Sequence, residues 1–170
     1  MIEDQLVRAD LIIISGERHD DSFDLITRTL EKMGEVKTVD IAIESSGRHN
    51  FGTIGPDKTP VVTLPGDPIA AYISFELLVR PMIRTMLGTA TIHRPSVKAK
   101  LEKALTSSGG DRSYVRAILS EDGKSVTPLS SQDEQATLSD ANSFIAVPEG
   151  ETSLTAGADV TVVVLERRYL

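Results

Sequence analysis

The run Val61-Val62-Thr63-Leu64-Pro65-Gly66-Asp67-Pro68-Ile69-Ala70-Ala71-Tyr72 holds the residues of this chain best placed for chemistry. A short, mostly apolar strand leads into a corner where two prolines bracket a glycine and an aspartate. Asp67 suits a helix N-cap, and Pro68 suits the first helical position, where its missing N–H would be unpaired anyway. A corner of this kind aims free main-chain amides and the positive end of a helix dipole at whatever lies above the strand. An oxyanion or a phosphate is the ligand it would take. The same residues also describe an ordinary strand-to-helix connection, and the pattern alone leaves both readings open.

The flanking elements must position that corner. Beyond it, Ile69, Tyr72, Ile73, Leu77, Ile83 and Leu87 keep roughly helical spacing. Pro81 is expected to kink or split this helix, and Gly88 to stop it. Upstream, Leu11-Ile12-Ile13-Ile14 is a continuous apolar run of the kind found in strands buried on both faces. It ends in Ser15-Gly16 and a polar loop from Glu17 to Ser22. Ile26, Leu30 and Met33 then recur at helical spacing, with Gly34 as the stop. Val36 to Ile43 alternates as a strand with Val39, Ile41 and Ile43 on one face. A loop around Ser45-Ser46-Gly47 leads through Phe51-Gly52 to the Val61 strand. This order reads as α/β, with loops gathered at the C-terminal ends of strands, where open sheets place ligands.

From about Ile92 the periodicity changes from helical to two. Val97, Ala99 and Leu101 alternate with lysines and Glu102, and Tyr114 to Leu119 is strand-like. Glu121-Asp122-Gly123-Lys124 is a hairpin signal. Further strands are expected at Phe144 to Val147 and Val160 to Leu165. The second part is therefore read as a small antiparallel β domain or barrel, with a boundary near residues 88–95.

Composition narrows the function classes. The 170 residues are 40% hydrophobic, enough for a proper core in one domain or two small ones. The net charge of −7 disfavours a nucleic-acid surface, which needs a basic field. No apolar run approaches the roughly 20 residues that cross a bilayer, and no secretory signal is visible, so a cytoplasmic, membrane-free protein is expected. The absence of cysteine excludes disulfides and thiolate metal sites. His19, His49 and His93 have no zinc-like spacing and are read as surface or loop residues.

Leu64-Pro65-Gly66-Asp67-Pro68, followed by Ser74-Phe75-Glu76-Leu77-Leu78-Val79-Arg80-Pro81, resembles the Leu-Pro-Gly-Asn-Pro…Phe-Glu-Leu-Phe-Val-Arg-Pro segment of the MoeA and gephyrin E-domain family. These are the molybdopterin molybdotransferases of molybdenum cofactor synthesis. Gly110-Asp111-Arg112-Ser113-Tyr114-Val115-Arg116 is similar to the family's Gly-Arg-x-x-Phe-x-Arg stretch. Leu138 to Gly150 resembles its Leu-Ala-x-Ala-Asn-x-Leu-Ile-x-Leu-Pro-Glu region. The resemblance covers the whole chain but only the C-terminal part of the family's proteins. It implies a fold in two parts: residues 1–91 as the second half of a MogA/MoaB-like molybdopterin-binding α/β domain, and residues 92–170 as the family's C-terminal β domain. It also implies a homodimer, a small-molecule substrate, and insertion of molybdate into adenylylated molybdopterin with Mg²⁺ dependence and release of AMP. Ser15, Gly16, Pro65, Gly66, Asp67 and Pro68 would then cradle phosphate, pterin or oxyanion. An excised fragment is expected rather than a naturally shortened relative.

The chain departs from that pattern in its loops. The family's glycine-rich Ser-Gly-Gly-Val-Ser-Val-Gly loop becomes Ser15-Gly16-Glu17-Arg18-His19-Asp20-Asp21 here. Asp24 keeps the position of an aspartate that the family assigns to its molybdate or magnesium site. Two readings of it stand: a Mg²⁺ ligand alongside Asp20 and Asp21, or a dipole-complementing residue in the first turn of a helix capped by Asp21. Two family lysines that hold the pterin phosphate become Asp40 and Glu44, and a one-residue shift that matches Ser46-Gly47-Arg48 to the family's Pro-Gly-Lys would keep a third cation as Arg48. Near a surface each such unit pair at 4 Å is worth about 4 kcal/mol before screening. The alternative to an enzyme is therefore a degenerate, non-catalytic paralogue serving oligomerisation or partner binding.

Overall fold

A computed structural model describes residues 2–17, 20–129 and 140–165. Its contacts divide the chain into two compact units, Met1–Val79 and Arg80–Leu170. The protein is mostly β, with few helices. No helix among the described residues is long and apolar enough to cross a membrane.

The first unit is built on four strands: β1 (Ile12–Glu17), β2 (Gly34–Ile41), β3 (Gly47–Ile54) and β4 (Thr59–Pro65). Their order is β1-β4-β3-β2. Only β1 and β4 run parallel, whereas β2, β3 and β4 form antiparallel pairs. The segment expected to be a loop after Ser45 is thus a strand. Its alternation is masked by Arg48, His49 and Asn50, polar residues that find partners on neighbouring elements. β1 is also not buried on both faces, because it lies outermost in the sheet and leaves Ile13 39% exposed.

Two helices precede the corner: α1 (Ile2–Leu6) and α2 (Asp20–Glu31). α2 packs Leu30 against Ile54 and Val61, with Ile26 and Met33 at the edge of that cluster, as the helical spacing requires. Gly34 does not cap α2. It opens β2, where an added Cβ would stand 2.1 Å from the Thr53 carbonyl oxygen. Gly52 on β3 makes the reciprocal approach to the Glu35 carbonyl, also at 2.1 Å. This pair of glycines lets β2 and β3 pass closer than side chains allow.

After the corner the chain runs through α3 (Pro68–Ser74), a π-helical stretch (Phe75–Val79) and α4 (Arg80–Met86). The expected split at Pro81 takes this form. Proline offers no N–H to Leu77, and the widened turn before it absorbs the clash of its ring. Gly88, at φ 66°, ends α4 with its amide on the Thr85 carbonyl at 2.9 Å.

In the second unit β5 (Ser96–Leu101), β7 (Ser113–Leu119), β8 (Ser125–Pro128), β9 (Ser143–Val147) and β11 (Asp159–Val164) close into a barrel. β6 (Leu105–Thr106) and β10 (Ser153–Leu154) pair beside it. The barrel is not purely antiparallel, since β5 and β8 run parallel. Inward residues such as Leu101, Leu119, Val126, Ile145 and Val162 are at most 1% exposed and fill it. The Glu121–Lys124 hairpin joins β7 to β8, with Gly123 at φ 70°. Buried Asn142 completes the wall with its side chain: Oδ1 accepts from the Leu119 amide at 2.7 Å, and Nδ2 donates to the Leu119 carbonyl at 3.0 Å.

Candidate functional site

The parallel register of β1 and β4 sets the candidate residues side by side. Ile12 to Ile14 pair with Val61 to Thr63, and the register then shifts so that Glu17 meets Pro65. Ser15 and Gly16 form the irregularity between these points. Gly16 sits at φ 109°, and a Cβ added there would meet no atom within 4 Å, so backbone conformation alone demands glycine. Ser15-Gly16 and Pro65-Gly66-Asp67-Pro68 therefore share one end of the sheet. Ser15, Gly16, Asp67 and Pro68 are solvent-exposed.

The corner spends its amides on itself. Asp67 is the N-cap of α3, and its Oδ1 accepts from the amides of Ile69 at 3.0 Å and Ala70 at 2.8 Å. The Ala71 amide donates to the Asp67 carbonyl at 2.8 Å, and Pro68 has no N–H. Two of the helical amides expected to be free for an anion, those of Ile69 and Ala70, are thus already taken. Asp67 supplies its own carboxylate to the positive end of the dipole.

Arg48 and Asp24 come together although 24 positions separate them in the chain. Arg48 Nη1 lies 3.4 Å from Asp24 Oδ1, and the guanidinium stacks 4.5 Å above the ring of Phe23. Asp40 is the cross-strand neighbour of Arg48 on β2. The Arg48 and Asp24 side chains are 40% and 51% exposed, so their pairing contributes about 1 kcal/mol at most. Its importance is chemical: the cation is already matched by the Asp24 carboxylate.

Mg²⁺ does not fit the described residues. No three histidines, aspartates or glutamates gather among them, and the carboxylate expected at the metal is held by Arg48 instead. Asp21 lies inside α2 rather than capping it. Arg18, His19 and the side chain of Asp20 lie outside the described residues, as do Leu138 and Ser139 of the barrel motif.

His49, read from its spacing as a surface or loop residue, is fully buried. Its Nδ1 donates to the Thr63 carbonyl at 2.7 Å, and its Nε2 meets Ser46 Oγ at 2.8 Å. Ser46 Oγ is also 2.9 Å from Ser74 Oγ. Burial pushes the ring's pKa below its ordinary value, against the opposing pull of the Thr63 carbonyl and the Asp40 charge. Next to it, Asn50 ties together three elements: its amide donates to Thr63 Oγ1 at 2.8 Å, its Nδ2 to Thr27 Oγ1 at 2.9 Å, and its Oδ1 accepts from Thr38 at 2.8 Å. Reading β3 as a strand would have placed these consecutive residues on opposite faces of the sheet, each against its own set of partners.

The barrel motifs meet one another. Arg116 on β7 pairs in register with Phe144 on β9, the Gly110 amide donates to the Glu149 carbonyl at 3.0 Å, and Arg112 reaches Glu149 at 3.3 Å. Elsewhere in the first unit, a cavity of about 520 Å³ is lined by Leu6, Val7, Met33 and Pro56.

Comparison with known proteins agrees with these motifs. Residues 98–165 match the MoeA C-terminal region (domain IV). Molybdopterin molybdenumtransferase 1 of Mycobacterium tuberculosis is 32% identical over 174 residues, covering 97% of this chain and 41% of the relative. Molybdopterin molybdenumtransferase of Bacillus subtilis is 28% identical, covering 96% of this chain and 39% of that protein. Among solved structures, the molybdopterin biosynthesis MoeA protein of Pyrococcus horikoshii superposes with a TM-score of 0.79 at 30% identity, over 97% of this chain and 39% of its own. The chain thus spans about two fifths of the relatives it matches.

Proposed function

We propose, from the premise that this chain is a MoeA C-terminal portion, that it serves molybdenum cofactor biosynthesis as part of a molybdopterin molybdotransferase. The whole enzyme would insert molybdate into adenylylated molybdopterin and release AMP. The observation that carries this reading is the exposed pair of turns, Ser15-Gly16 and Pro65-Gly66-Asp67-Pro68, side by side at the ends of parallel strands. That is where open sheets place ligands. Residues 1–91 would belong to a MogA-like molybdopterin-binding domain and residues 92–170 to domain IV, working in the cytoplasm as a homodimer.

In this reading the chain's residues bind and orient. The two turns approach the ligand with main chain, and Arg48 offers its guanidinium to an anionic group. Phe23 and Asp24 hold that guanidinium in place. Catalysis would come from positioning charge rather than from a nucleophile. The described carboxylates do not suffice to hold Mg²⁺.

A second reading has its own observation. Asp24 and Asp40 flank Arg48 where an anion site would need uncompensated cations, which favours a non-catalytic paralogue kept for association or partner binding. One experiment separates the two. The full gene product is tested for retention of molybdopterin and its adenylylated form, then for molybdate-dependent AMP release, alongside Asp24→Ala. Retention and release that fall in the variant support the enzyme. A stable protein blind to every one of these ligands refutes it and leaves the paralogue.

A further inference from the structure

Beneath the corner, within the first unit, buried polar groups form a row that ligand binding does not use. The Thr63 carbonyl can only accept, so His49 Nδ1 carries the hydrogen and Nε2 of the neutral ring is an acceptor. Ser46 Oγ must then donate to Nε2, and its own lone pairs receive the hydroxyl hydrogen of Ser74. The direction of the row is fixed from one end to the other. It joins the turn after β2, strand β3, strand β4 two residues before Pro65, and the last residue of α3. None of its four residues is more than 3% exposed.

We propose that His49 is a proton-controlled latch that, when neutral, holds the 43–46 turn and α3 to β4 and so fixes the Pro65–Pro68 corner. Protonation releases it. A proton on Nε2 turns that acceptor into a donor, so Ser46 must turn its hydrogen towards Ser74, and Ser74 must withdraw its own. Every hydroxyl in the row reverses while a positive charge enters a buried site.

The surroundings of the ring decide the sign. β2 supplies Asp40, whose charge favours the protonated form. β3 supplies the neighbouring Arg48 and the Phe51 ring, stacked at 5.8 Å between centroids. β4 and α3 contribute the neutral Thr63 carbonyl and Ser74 hydroxyl. Glu44 in the turn and buried Glu76 in the π-helical stretch are engaged in interactions of their own. Burial outweighs the rest, so the closed form binds fewer protons than an open form whose ring titrates at about 6.5. The latch is therefore closed above about pH 6.5 and weakens as pH falls towards the lower native value, by at most about tenfold per pH unit.

The test uses the wild-type chain, labelled with ¹⁵N, and needs no ligand. Its failure is therefore separate from failure of the molybdotransferase reading. Ring nitrogen shifts report the tautomer. Hydrogen exchange, corrected for its intrinsic pH dependence, reports the amides of Ser46, bonded to Ile43, and Ala71, bonded to Asp67. Expected are an Nδ1–H ring at pH 7.5 and protection at both amides that falls as pH drops below 6.5, by at most about tenfold per unit. His49→Gln should abolish that pH dependence. Ser74→Ala, which leaves the ring in place, should lower protection already at pH 7.5. An Nε2–H tautomer, protection constant between pH 5 and 7.5, or a loss spread equally across the barrel strands would overturn the latch.

Discussion

Replacing Asp67 with alanine tests the account of the corner most directly. The substitution removes one carboxylate oxygen that accepts from two helical amides, at 3.0 and 2.8 Å, and leaves the Asp67 carbonyl bonded to the Ala71 amide. N-cap losses of this type cost about 1 kcal/mol, rising to about 2 where both bonds matter. With a urea slope of about 2 kcal/mol per M, the midpoint should fall by about 0.5–1 M. Asp67→Asn keeps an oxygen acceptor and should stay within a few tenths of a kcal/mol of wild type. Urea unfolding of the three proteins gives the energies, and amide exchange gives the location. In Asp67→Ala, Ile69 and Ala70 should lose protection first. Equal midpoints for wild type and alanine variant would refute the cap, and so would an asparagine variant as damaged as the alanine one.

Other substitutions separate backbone demands from side-chain ones. Gly52→Ala should cost more than about 3 kcal/mol and show as loss of soluble protein, because its Cβ would meet the Glu35 carbonyl at 2.1 Å. Gly150→Ala, which meets nothing within 4 Å, should stay within about 0.5 kcal/mol. Asn142→Ala should destabilise the barrel by about 2 kcal/mol or more in urea, since the Leu119 amide and carbonyl both lose a buried partner.

What the sequence revealed follows from how local each signal is. The cap at Asp67, the split at Pro81 and the stop at Gly88 depend on residues within one or two turns, and all three were legible. The barrel strands were legible because apolar residues alternate along β5 and run together in β9 and β11. β3 was not, since Arg48, His49 and Asn50 find their partners on β2, β4 and α2, which no local pattern announces. The exposed face of β1 was missed for a similar reason: an isoleucine run looks the same at the border of a sheet as at its centre. At the candidate site the turns and the cap are legible, but the pairing of Asp24 with Arg48 joins residues 24 positions apart and has no local signal.

The closed barrel has no border strand to offer another molecule, whereas the four-stranded sheet has two. One of these, β2, carries Glu35, Lys37 and Asp40, charges that resist stacking of a further chain. The other presents Ile12-Ile13-Ile14, with the central isoleucine partly open to water. In concentrated or warmed solutions of this chain by itself, ribbon-like self-association would thus be seeded along β1 rather than along the charged β2.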